Sequence, residues 1–127
     1  MRRVVDSSAW IEWLVEGSLF KKLRKEIPSN EECVIPTIVQ LELAKWLTRK
    51  VGEDKAAQFL AFTLTCQIVP LDTRLALRAA ELCRAHRLST ADSIVYATAL
   101  DQDADLVTCD AHFAALEHVL YVPKAGA

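Results

Sequence analysis

Four acidic residues, Asp6, Glu42, Asp92 and Asp110, occupy positions from which carboxylates could meet and do chemistry. Asp6 and Asp110 each end a short apolar run and precede a helical pattern. Glu42 has Ile38, Val39 and Trp46 three and four residues away on its own helical face, and Asp92 has Val95, Tyr96 and Ala99. Two carboxylates about 4 Å apart repel by about 4 kcal/mol at an effective dielectric of about 20, so four gathered ionised in one pocket need a compensating cation. Oxygen-only donors suit a hard ion, Mg²⁺ or Mn²⁺. One or two such ions would activate a water and stabilise charge on a phosphodiester during in-line displacement.

Each residue also has a structural reading. Asp is among the best helix N-caps, which would account for Asp6 and Asp110, and Asp72 occupies a similar junction with no evident chemistry. Glu42 could pair with Lys45 or Arg49 inside the fold. Ser89 followed by Asp92 three residues later fits a capping box, and an acid in a first helical turn complements the helix dipole. Spacing alone leaves capping and coordination both open.

Other constellations are excluded more simply. The three glycines, Gly17, Gly52 and Gly126, form neither G-x-G-x-x-G nor a P-loop. Position 8 is Ser8, where a D-x-D phosphotransfer motif needs a second Asp. His86, His112 and His118 make no H-E-x-x-H or H-x-H pattern and read as surface or packing residues. Cys33, Cys66, Cys83 and Cys109 form no C-x-x-C pair and read as free thiols of a reducing compartment.

The elements that must position the acids alternate. Val4 and Val5 start a strand ending at Asp6, and Trp10, Ile11, Trp13 and Leu14 follow at helical spacing. A lysine-rich helix precedes the Pro28-Ser29-Asn30 turn and a strand from Cys33 to Pro36, after which Thr37 is positioned to cap a helix over about 38–51. Gly52 breaks that helix, and another over about 53–64 leads to a strand at 66–71. Asp72 or Thr73 caps a helix through His86, and Ser89 and Thr90 start one through about Gln102. A strand at 104–108, a short helix opened by Asp110 and a strand at 119–122 complete the series. Short apolar strands alternating with helices predict a three-layer α/β/α sandwich around a mostly parallel sheet of about five strands, with ligands bound at the strands' carboxyl ends.

The 127 residues suit one domain, 1–127; at 52% apolar and 25% charged, disorder and low-complexity linkers are excluded. A formal charge of −2 lacks the basic coat of a passive nucleic-acid binder, yet a local basic rim around an acidic hole remains open. Asp6 and Glu12 interrupt the amino-terminal apolar residues, and the longest uncharged stretch, 56–71, contains Pro70, so a soluble, cytoplasmic protein away from membranes is expected.

With Asp6, Glu42, Asp92 and Asp110 in this order, the sequence resembles the PIN-domain ribonucleases over nearly its whole length, most closely the VapC toxins of prokaryotic toxin-antitoxin pairs. Val-Val-Asp6-Ser7-Ser8 is similar to the family's opening element, and Glu42 falls in the helix after the second strand. Ser89-Thr90-Ala91-Asp92 resembles the third-acid helix, with Ser93 where Ala is usual, and Thr108-Cys109-Asp110-Ala111-His112-Phe113 resembles the T-x-D-x-x-F ending. The resemblance implies a Mg²⁺ or Mn²⁺ site built from the four acids, Asp6 and Asp92 foremost, with Ser8 and Thr108 as supporting hydroxyls. It further implies metal-assisted RNA hydrolysis leaving a 3′-hydroxyl and a 5′-phosphate, a VapB-like antitoxin and a homodimer.

The basic cluster Lys21, Lys22, Arg24 and Lys25, with Arg2, Arg3 and Arg49, is a candidate RNA-backbone contact, though a solvated helix face looks the same. Trp10, Trp13 and the first two helices could present an antitoxin groove, with core packing as the alternative. Two other classes compete: a receiver-like phosphoacceptor domain, opposed by the serines after Asp6 and by Pro123 preceding Lys124, and a catalytically inert PIN-like binding module.

Overall fold

The computed structural model describes residues 1–124. Strands and helices alternate as β1 (Arg3–Val5), α1 (Ser7–Leu14), α2 (Phe20–Glu26), β2 (Cys33–Pro36), α3 (Thr37–Lys50), α4 (Glu53–Thr63), β3 (Gln67–Val69), α5 (Thr73–His86), α6 (Thr90–Asp101), β4 (Asp105–Thr108) and β5 (Val119–Tyr121). Single 3-10 turns occur at Asn30–Glu32 and Ala111–Phe113. The strands form one sheet in the order β3-β2-β1-β4-β5, and every neighbouring pair is parallel. A receiver-type sheet has β1 between β2 and β3, so this strand order excludes the phosphoacceptor alternative.

Parallel pairing needs helical crossovers, and these cover both faces of the sheet. Consecutive residues Val4 and Val5, Val34 and Ile35, and Leu106 and Val107 are accordingly all fully buried. On the helical layers α3 packs against α4 and α1, whereas α5 packs against α6 and α6 lies against β1, β2 and β4. Every residue of α6 from Ser93 to Ala99 is buried, so this part of the helix is covered on all sides. Asp92 is held at the edge of that buried rod, in its first turn.

Two local expectations need correction. Thr37 does not cap α3: it is already the helix's first residue, the chain enters through extended Pro36, and no side chain caps this end. The strand expected over 66–71 is shorter, Gln67–Val69, because Pro70 cannot donate to the ladder and Asp72 already caps α5 by accepting from the Leu75 amide at 2.8 Å. No helix among the described residues is long and apolar enough to cross a membrane.

Candidate metal centre

β1 and β4 are adjacent, yet the chain leaves β1 toward β2 on one side and β4 toward β5 on the other. Such a reversal opens a crevice at the carboxyl ends of the two strands. Asp6 directly follows β1, and Asp110 lies two residues beyond β4, so both flank that crevice.

Asp6 is only 5% exposed. It occupies the N-cap position of α1, but its side chain makes no cap hydrogen bond. Its Oδ2 instead accepts from Ser8 Oγ at 2.8 Å and from Thr108 Oγ1 at 2.9 Å. Each hydroxyl is itself fixed, since Ser8 Oγ accepts from the Cys109 amide at 3.1 Å and Thr108 Oγ1 from the Asp110 amide at 3.0 Å. A hydroxyl has one proton to give, and both are given to Asp6. Among the described residues, no hydrogen bond engages Oδ1.

Burial pushes the Asp6 carboxyl up to about 6. The two hydroxyls oppose that shift, and the charges of Asp92 and Glu42 add to it. Asp92 is also raised, first by burial and then by the charge of Asp110, with a smaller contribution from Glu42; its bond with Ser89 and the nearby His112 act the other way. The Ser89 hydroxyl accepts from the Asp92 amide at 3.2 Å, so the capping reading holds for the backbone, and the carboxylate still feels the charge of its acidic neighbours.

Asp110 likewise caps its turn, with Oδ1 accepting from the His112 amide at 2.9 Å. His112 Nδ1 lies 2.7 Å from the same oxygen. One donor atom each of Asp92, Asp110 and His112 falls within 4.8 Å of the others. Asp6 and Glu42 stand outside this tight group and reach Asp92 through charge. Glu42, partly buried on α3, forms no ion pair with Lys45 or Arg49; its Oε1 accepts from Ser7 Oγ at 2.8 Å.

The donor set fits a hard divalent ion. A buried carboxylate disfavoured as an anion, with one oxygen free of hydrogen bonds and further carboxylates nearby, has no cationic side chain bonded to it among the described residues. His112 and Ser7 escaped the sequence reasoning. A lone exposed histidine carries no spacing signal, but its place two residues after Asp110 and directly before fully buried Phe113 folds it back over the acid. Ser7 read as a helix start, and its signal was the hydroxyl pair following Asp6.

The basic residues are placed less uniformly. Lys21, Lys22, Arg24 and Lys25 are all exposed on α2 around buried Leu23, and Lys22 and Lys25 line a cleft with Tyr121, Val122 and Pro123. Arg49 lies on α3 about 10 Å along the axis from Glu42. Arg2 and Arg3 belong to the opposite, amino-terminal edge of the sheet. Arg3 pairs with Glu26 at 3.0 Å, and Arg2 bonds Gln67 and Gln102, so neither joins the acidic crevice.

A three-layer parallel α/β sandwich with carboxylates gathered at the switch point of its sheet is the class these features define. The chain belongs to the PIN-domain family, whose family model matches residues 3–119. No curated protein matches the sequence closely enough to stand as a relative. Among solved structures, a toxin-antitoxin complex from Klebsiella pneumoniae is 20% identical with a TM-score of 0.79, covering 93% of this chain and 95% of that one. VapC20 from Mycobacterium tuberculosis, described as a sarcin-ricin loop cleaving toxin, is 20% identical with a TM-score of 0.77, covering 96% and 99%. A DNA-bound VapBC from Salmonella typhimurium is 15% identical with a TM-score of 0.71, covering 97% and 98%.

Proposed function

We propose that this chain, acting as a single domain over residues 1–127, is a Mg²⁺- or Mn²⁺-dependent endoribonuclease and the toxin of a type II toxin-antitoxin pair in the cytoplasm. The observation that carries the reading is Asp6, a buried carboxylate held by two hydroxyls, with a free oxygen and acidic neighbours. Asp6 and Asp92 are the principal ligands, and Glu42 and Asp110 complete the centre. When bound, the ion supplies the positive charge that lets these carboxylates stay ionised together and polarises the attacking water and the scissile phosphodiester. Ser8 and Thr108 fix the Asp6 rotamer, Ser7 fixes Glu42, and exposed Lys21, Lys22, Arg24, Lys25 and Arg49 supply the charge that draws RNA backbone toward an acidic hole.

The toxin role is supported by the fold shared with the Klebsiella complex and VapC20. An apolar groove of about 320 Å³ gives an antitoxin segment a place to dock. It lies between α1, α3 and α4, lined by Trp13, Leu47, Val51, Phe59 and Phe62, rather than between the first two helices. Trp10 is core and fully buried, whereas Trp13 reaches the groove.

The test is cleavage of a mixed RNA pool by the purified chain. Cleavage should require Mg²⁺ or Mn²⁺, stop with chelator, and vanish in Asp6→Asn and Asp92→Asn variants that remain folded. RNA binding without metal-dependent cleavage would make the chain an inert module and overturn the reading.

A further inference from the structure

The Asp110 carboxylate is divided unequally. Both hydrogen bonds it accepts, from the His112 amide at 2.9 Å and from His112 Nδ1 at 2.7 Å, fall on Oδ1, and none falls on Oδ2. An ionised carboxylate oxygen only accepts, so Nδ1 must carry the hydrogen whether the ring is neutral or charged. The amide half of this pair would survive any side chain at position 112, whereas the ring half needs a donor two bonds beyond Cβ or closer. His112 is 77% exposed, so the ring contributes almost nothing to packing, while the backbone beneath it is anchored by fully buried Phe113. Among the described residues, its ring hydrogen-bonds only to Asp110.

That bond has an opponent. Asp92 and Asp110 present donor atoms within 4.8 Å of each other and of the ring nitrogen, and the charge of Asp110 helps raise the Asp92 carboxyl. A partly exposed Asp110 side chain could relieve this repulsion by rotating outward. We propose that His112 is a positioning residue that holds Asp110 in place through the Nδ1–H···Oδ1 bond, leaving Oδ2 free of hydrogen bonds among the described residues, and thereby sets the affinity of the centre for its divalent ion. The inference rests on the metal-centre reading above and adds a residue to it.

Direct Mn²⁺ titration of the purified protein without RNA, by calorimetry, tests it. His112→Ala and His112→Gln should raise the Mn²⁺ Kd by about tenfold or more, the range typical of lost hydrogen-bond partners of ligands. His112→Asn places a donor at the Nδ1 position and should bind within about twofold of the wild type on the same logic. Metal-free melting temperatures should be unchanged in all three. An unaltered Kd in His112→Ala, no rescue by His112→Asn, or a metal-free melting temperature that falls with affinity would overturn the proposal while leaving the centre intact. A wild-type chain that takes up no Mn²⁺ would refute the centre itself, and this inference with it.

Discussion

Replacing Asp6 by Asn removes one charge and almost no volume, and the effect on the metal-free fold follows from the surroundings. The carboxyl is raised from 3.8 to about 6, so between those values the folded chain keeps a proton that the unfolded chain has lost. Stability therefore falls as pH rises through that window and levels off above about 6. At pH 7 the ionised Asp6 costs the metal-free fold about 3 kcal/mol, at about 1.4 kcal/mol for each pH interval of displacement. An Asn carbonyl has two lone pairs and still accepts from both Ser8 and Thr108, so most of the local bonding survives. In chelator at pH 7, Asp6→Asn should melt higher than the wild type by on the order of 10 °C for a chain of this length. The difference should shrink toward zero near pH 4. Saturating Mn²⁺ should reverse the order by stabilising the wild type alone. Scanning calorimetry at several pH values reads all three. An Asn variant less stable at pH 7, or an advantage independent of pH, would refute the claim that burial strains this carboxylate.

Ser8→Ala and Thr108→Val each remove one hydroxyl from Asp6 Oδ2, and each should weaken Mn²⁺ binding or cleavage by about 10- to 100-fold, read by calorimetry and initial rates. Neutralising Lys21, Lys22, Arg24 and Lys25 to Gln should flatten the dependence of log RNA affinity on log salt by about 0.7 for each phosphate that is no longer neutralised; an unchanged slope would return the cluster to a solvated helix face. On the proposed toxin reading, Phe62→Glu, at a groove residue 37% exposed, should abolish co-purification of the chain with a co-expressed cognate antitoxin while leaving RNA cleavage unchanged.

The alternation of strand and helix was readable because Val4, Val5, Val34, Ile35, Leu106 and Val107 are apolar on both faces, a pattern suited to a covered parallel sheet. Glu42 and Asp92 stood out for the same reason in reverse, as charges on apolar helical faces, whereas Asp6 at the end of its strand read equally well as an N-cap. Hydrogen-bond partners were less legible. Nothing in the spacing of Ser7 and Glu42, thirty-five residues apart, announces their bond, which exists because α1 and α3 both start at the carboxyl edge of the sheet. His112 looked like a surface residue and is one by exposure, but a single 3-10 turn brings its ring onto Asp110. Arg2 and Arg3 show the limit of charge density as a guide. They are near Asp6 in sequence, yet β1 starts at Arg3 and runs away from them toward the crevice, leaving them at the other edge, where Gln102 and Glu26 hold them.

Whether the acids hold a divalent ion can be seen outright in the anomalous difference map of a crystal soaked in Mn²⁺. A peak is expected at the β1/β4 crevice, within coordination distance of Asp6 and Asp92 carboxylate oxygens and lost in Asp92→Asn crystals. Mn²⁺ bound only elsewhere, or a well-diffracting crystal with no peak at the acids, would contradict the metal centre.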